Sequence, residues 1–322
     1  MPRSIDPPSV DAIREAAVRV RGFAARTPLV RLRTDATDTE IWLKLENLQP
    51  IGSFKLRGAS NAMLRAPRET LAHGVYTASA GNMAQGVAYV ARALGVPCTV
   101  IVPEHAPQAK LLPVERLGAR IVKVPFDRWW QTLVEHGYPD MPGLFVHPVS
   151  DPDVMAGNGT IGLEVLDELP DVDAVLVPYG GGGLSVGIAS AVKALQPSTA
   201  VYACEVETAA PLRASLAAGR AVSCEYTASF VDGIGGKSVL AEIWPLASTL
   251  LAGALSASLD EVAAAVRLLV ERIRVVAEGA GATPVAAALR GVPGGARRAV
   301  CVVSGGNIDP VKLARILTGE VP

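Results

Sequence analysis

The sequence predicts an α/β protein with two parallel-rich open sheets flanked by helices and a site between them. Three observations carry that prediction. Short apolar runs alternate with helix-length segments along most of the chain. Glycine-rich turns stand where several runs pass into helices. A stretch over residues 126–159, rich in Pro, Gly and aromatic residues, reads as irregular and divides the runs into two series.

Taken in order, the strand candidates are residues 41–45, 74–77, 98–102, 120–124, 174–178, 201–205 and 299–303. Helical patterns cover 84–94, 108–117, 184–195 and 259–276. Such alternation belongs to parallel sheets, whose strands need a long crossover between neighbours. The break in the middle implies two sheets with a cleft between them. Ligands in these folds collect beyond the carboxyl ends of the strands, so the strand-to-helix loops are where chemistry is sought.

Composition narrows the function classes. The 322 residues suffice for one large α/β domain or two modest ones. Half are apolar and 19% are charged, which excludes a disordered chain. Lys and Arg number 30 against 31 Asp and Glu, so nucleic acid and anionic membrane are not expected partners. The first 20 residues scatter charges and lack the apolar core of a signal peptide. Residues 174–192 carry no charge, but Pro178 and five glycines make them strand, glycine loop and helix rather than a membrane span. Cys98, Cys204, Cys224 and Cys301 form no CxxC pair and read as thiols, three of them in apolar runs. A cytoplasmic enzyme is expected. His73, His105, His136 and His147 show no metal spacing and read as structural or surface. The pair Trp129 and Trp130 reads as core or interface packing.

Four loops carry chemistry. In the first, Gly52-Ser53-Phe54-Lys55-Leu56-Arg57, Ser53 is the expected N-cap and Lys55 falls in the first turn of a helix. The helix dipole there disfavours a cation, as nucleophilic use of a lysine requires. Taken alone, Lys55 also reads as a surface lysine at a helix start, and Arg57 as half of a structural ion pair. The second loop, Ser79-Ala80-Gly81-Asn82-Met83, offers backbone N–H groups and two polar side chains to an anion. It also fits a plain turn with an Asn cap. The third holds Gly180, Gly181, Gly182, Gly183 and Leu184 between strand and helix. Four consecutive glycines are entropically costly, and their use is to wrap unobstructed N–H groups round a phosphate. A dinucleotide fingerprint fails at its third glycine, where Ser185 or Val186 stands, although Glu205 keeps a nicotinamide-dependent oxidoreductase open. In the fourth, Ser304 precedes Gly305 and Gly306 at the end of the last strand, an ordinary turn pattern by itself.

Together these loops, with Val276-Ala277-Glu278-Gly279-Ala280-Gly281-Ala282, resemble the serine/threonine dehydratase and serine racemase family of fold-type II pyridoxal phosphate (PLP) enzymes. The likeness runs from about Thr27 to Asn307, with the motifs in the family's order. It implies that Lys55 forms the internal Schiff base with PLP and that Phe54 packs near the cofactor. It implies a phosphate cradle at Gly180, Gly181, Gly182, Gly183 and Leu184, Asn82 on the phenolic oxygen and Ser304 at the pyridine nitrogen, with Glu278 near the cofactor. Ser79, Ala80, Gly81, Asn82 and Met83 would hold the substrate carboxylate. The implied reaction is β-elimination from a small β-hydroxy amino acid, L-threonine or L-serine, to a 2-oxo acid and ammonia, with Lys55 removing the α-proton. Residues 1–73 and 151–322 would form a large PLP-binding domain and 74–150 a small mobile one. The implied assembly is a homodimer.

Departures from the family pattern sharpen the expectation. Ala80 stands where the racemases have a second serine, and alanine cannot exchange a proton. Dehydration with little racemisation is therefore expected, with serine racemisation or dehydration of another hydroxylated amino acid, such as a hydroxyaspartate or a hydroxyectoine-derived one, as the alternative. Met83 replaces a histidine and leaves the substrate side chain open. Pro211 falls where a cation-binding carboxylate is expected beside Glu205, so no metal is assigned. The chain ends soon after the last loop, so feedback through a C-terminal regulatory domain is not expected. A non-catalytic binding relative remains a distant reading that the lysine argues against.

Overall fold

The computed structural model describes residues 3–322. Among these residues ten strands form two sheets. They are β1 (Leu29–Leu32), β2 (Glu40–Lys44), β3 (Val75–Ala78), β4 (Cys98–Pro103), β5 (Arg120–Val124), β6 (Leu144–Phe145), β7 (Ala174–Pro178), β8 (Ala200–Val206), β9 (Gly253–Ala257) and β10 (Arg298–Val302). The larger sheet runs β1-β2-β10-β7-β8-β9 and is parallel except for β1 against β2. The smaller runs β5-β4-β3-β6 and is all parallel. Every residue of β7 and β3 is buried, as expected where helices cover both faces.

This topology brings the loops together. The last strand, β10, lies between β2 and β7. Ser304, just beyond β10, therefore meets the segment that follows β2 and the glycine loop that follows β7. Phe54 N donates to the Ser304 carbonyl at 3.0 Å, and Ser53 pairs with Gly305 across an isolated bridge.

The seven expected strands all form, shifted by a residue or two at some ends. Three more were not expected, each for a physical reason. β1 is a half-exposed edge strand with an arginine inside it, β6 has two residues, and β9 is built of Gly, Ala, Leu and Ser. The expectation of an irregular 126–159 is wrong: it holds the helix Phe126–Val134 and the first half of the helix Pro152–Glu168. The glycines of the second helix mark close crossings rather than breaks. A Cβ on Gly157 would lie 2.4 Å from the Arg57 carbonyl, and one on Gly159 2.7 Å from that of Gly187. The expected helix 259–276 is shorter, because Leu259–Leu268 runs into a π turn and Arg274 takes a left-handed conformation at φ +67°. Among the described residues no helix is long and apolar enough to cross a membrane.

Candidate active site

The loops after β3, β7 and β10 surround a cavity of about 420 Å³ between the two sheets, and Lys55 reaches into it. Lys55 opens the helix Lys55–Arg65. Ser53 is not its N-cap as expected. Phe54 takes that position with no side-chain bond, while the Ser53 hydroxyl accepts the Lys55 N–H at 3.3 Å. The Lys55 amine donates to the Pro148 carbonyl at 2.7 Å and lies 5.2 Å from the centre of the Phe54 ring. Burial pulls its pKa down to about 8, against the opposing pull of the Glu278 carboxylate.

Behind Lys55 the same helix is anchored by charge. Arg57 is 1% exposed and Glu46 is fully buried, and the two are joined at 2.8 Å. Arg57 also meets Glu164 at 2.7 Å, so the expected structural ion pair is a buried three-residue cluster. Burial alone would push Glu46 up, but the charge and hydrogen bonds of Arg57 hold it below the ordinary carboxylate range.

The glycine loop joins β7 to the helix Gly183–Leu195. The first ladder bond of that helix runs from Val186 N to the Gly182 carbonyl, so the N–H groups of Gly183, Leu184 and Ser185 precede the ladder at its open end. Gly182 sits at φ +100°, a conformation other residues rarely adopt. A Cβ on Gly183 would meet the Val149 carbonyl at 2.4 Å, and one on Gly181 the Val149 side chain at 2.5 Å. The run is small because its backbone is crowded on one side and open to the cavity on the other.

Across the cavity, Ser79, Ala80 and Gly81 form the turn after β3, and Asn82 and Met83 open the helix Asn82–Leu94. Met83 is buried, and the Gly81 N–H is received by the Ser79 hydroxyl at 3.2 Å. Asn82 donates to Glu278 at 2.9 Å and accepts from Asn307 at 2.8 Å. Burial, with Asp232 nearby, raises the pKa of Glu278 to about 7. Ser304 is buried and also lines the cavity.

Every residue expected at the site lines this cavity, so five stretches far apart in sequence meet there. Sequence reasoning missed Pro148, Val149, Lys110 and Asp232. Lys110 and Asp232 pair at 3.1 Å from opposite sides of the cleft. Trp129, expected only to pack, does pack against its neighbours but also lines the cavity. Away from the site, Glu205 accepts N–H bonds from Leu212 and Arg213, both at 2.8 Å. Its carboxylate therefore caps the helix Pro211–Ala218. The four cysteines are free.

The family described as pyridoxal-phosphate dependent enzyme matches residues 20–305. The chain belongs to that family. An L-threonine ammonia-lyase of Geobacter sulfurreducens is 44% identical over 302 residues, spanning 92% of this chain and 75% of that protein. The crystal structure of the T.th. threonine deaminase superposes with a TM-score of 0.82 at 36% identity, covering 94% of this chain and 99% of that one. Serine racemase from Dictyostelium discoideum gives 0.86 at 31% identity, covering 94% and 100%.

As a PLP-dependent enzyme the chain needs an amine, a phosphate seat and a partner for the ring. The cavity supplies a lysine with a lowered pKa and a crowded glycine loop at a helix N-terminus, with a buried serine hydroxyl opposite. These residues fit the cofactor.

Proposed function

We propose that the chain is an ammonia-lyase that eliminates the hydroxyl of a small β-hydroxy amino acid, L-threonine or L-serine, releasing a 2-oxo acid and ammonia. The observation that carries this reading is the half-buried Lys55, whose amine shares one cavity with the glycine loop and Ser304 and has its pKa drawn down to about 8. The likeness to threonine ammonia-lyases supports the substrate class.

Lys55 holds PLP through its Nζ, with Phe54 packed nearby. The N–H groups of Gly180, Gly181, Gly182, Gly183 and Leu184 bind the phosphate. Ser304 gives a neutral hydroxyl to the pyridine nitrogen. Asn82 spends one amide hydrogen on Glu278 and has a second for the phenolic oxygen. Ser79, Ala80, Gly81, Asn82 and Met83 receive the substrate carboxylate. When bound, PLP supplies an electron sink for the charge left at Cα. Lys55 Nζ, when not linked to the cofactor, would take the α-proton, and the cavity wall would exclude water. The unit of residues 74–150 closes over the substrate, and the enzyme works as a cytoplasmic homodimer. Ala80 offers no proton to the other face, so racemisation is minor.

An absorbance spectrum of the purified protein with PLP, before and after borohydride, tests the assignment. The expected band at about 420 nm is abolished by borohydride and absent from Lys55→Ala. L-Threonine and L-serine then yield 2-oxo acid. A wild-type protein that stays colourless, or a Lys55→Ala protein that retains activity, overturns the reading.

A further inference from the structure

The turn that receives Lys55 is organised by a histidine. His147 is buried, and its Nδ1 accepts the N–H groups of Val149 at 3.1 Å and Ser150 at 2.9 Å. Its Nε2 must then carry the proton, which it gives to the Leu133 carbonyl at 3.1 Å. The ring stacks on His136 at 4.3 Å and meets Phe145 edge-on at 5.8 Å. His136, His147 and Glu242 are spaced as a cation site would be, but both His147 nitrogens are committed to backbone groups. Glu242 instead receives Ser150 Oγ at 2.7 Å and lies 3.0 Å from His136 Nε2, which ties the turn to the segment before the helix Trp244–Leu250.

Pro148 sits inside this turn, and its carbonyl takes the Lys55 amine at 2.7 Å. On its other side Val149 is wedged against Gly181 and Gly183. The glycine loop therefore fixes one end of the turn, and His147 the other. An amine anchored by one N–H keeps its lone pair free to face the cavity.

We propose that His147 is a positioning residue for Lys55: by holding the Pro148 turn through Nδ1, it aims the lysine amine at the cofactor's aldehyde. The proposal rests on the assignment of Lys55 as the PLP lysine. Burial keeps His147 uncharged through the physiological range, pulling its pKa down to about 3, so the acceptor at Nδ1 persists at working pH.

The test strips the full-length protein of cofactor and follows two probes. PLP attachment is timed by the growth of the band at about 420 nm. Pyridoxine 5′-phosphate, an alcohol that cannot link to lysine, reports binding without positioning. His147→Phe keeps the ring packing and loses both nitrogens. It is expected to slow attachment by about 10- to 100-fold while the affinity for pyridoxine phosphate moves less than about threefold. His147→Asn places a carbonyl near Nδ1 and is expected to recover a rate within about threefold of wild type. If His147→Phe does not fold, His147→Asn against His147→Gln decides, with Asn expected fast and Gln slow.

Wild-type attachment by His147→Phe, or equal rates for Asn and Gln, overturns the proposal. So does a parallel loss of rate, analogue affinity and melting temperature that Asn does not relieve, which marks support of the fold alone. A wild-type protein that forms no band sinks the Lys55 assignment itself, and this proposal with it.

Discussion

The wall of the cavity that belongs to the six-stranded sheet is fixed by buried charge and by backbone contacts at glycines. The wall from the four-stranded sheet is held by apolar packing and a few turn hydrogen bonds. On the first side, Arg57, Glu46 and Glu164 lock the lysine helix, and Val149 lies against Gly181 and Gly183. On the second, Ser79, Ala80, Gly81 and Trp129 are half-buried, and the contacts across the cleft are the hydrogen bonds of Asn82 with Glu278 and Asn307 and an exposed ion pair, Lys110 with Asp232. Exposed pairs contribute little, about 0–1 kcal/mol. The difference separates two tasks. It fits the proposed division, in which the first wall seats the cofactor and the second admits and encloses the substrate.

The strongest way to break the contrast is to remove charge from the rigid wall. Arg57→Met leaves Glu46 buried without its partner, and a broken buried pair costs about 3–5 kcal/mol. The pH dependence fixes the cause. In the wild type the Glu46 pKa is held down, so its stabilisation is present above the ordinary carboxylate value and is lost as pH falls through the lowered one. In the variant, burial alone raises that pKa, and stability falls as pH rises above the ordinary value. The gap between the two proteins should widen from about pH 4 to about pH 7 in urea unfolding. A constant gap would mean lost packing rather than a stranded carboxylate.

Next in size is Gly182→Ala. The left-handed backbone and a Cβ only 2.6 Å from the Ile243 side chain both oppose it. PLP binding is expected to weaken by about 100-fold in equilibrium titration. Gly291→Ala carries comparable strain at φ +108° in open space away from the cavity and serves as the control. Equal losses in both variants would remove the phosphate role from the loop.

A smaller effect comes from the lysine. With its pKa near 8, the uncharged fraction of Lys55 falls about tenfold for each pH unit below that value. The rate of PLP attachment to cofactor-free protein should therefore rise to about pH 8 and then level. A rise that continues to about pH 10 would show an ordinary, exposed lysine.

How much of this was legible in the sequence depends on the range of the cause. The glycine loop and the placement of Lys55 at a helix start are local matters, settled within a few residues, and both were readable. Pro148 lies 93 positions from Lys55, and nothing near it in sequence signals that its carbonyl receives an amine. The helix Pro152–Glu168 was hidden because its glycines look like breakers. They are crossing points, visible only once Arg57 and Gly187 lie against them. One local signal was present and unused. Asp151 followed by Pro152 is a helix start, and the Asp151 side chain does accept the N–H groups of Asp153 and Val154.

The mildest prediction probes the loose wall. Trp129 lines the cavity while its indole N–H is buried without a protein partner. A buried donor left unmet is costly, so a substrate oxygen gains from its presence if binding opens a path to it. Trp129→Phe keeps most of the apolar surface and deletes only the donor. Because the ring is half-buried, the loss should be modest, about a threefold rise in KM for L-threonine, with PLP affinity and the attachment rate unchanged. If PLP affinity falls instead, Trp129 supports the cofactor and the division between the walls fails at that residue. If only KM moves, substrate recognition extends onto the wall whose residues the sequence left least determined.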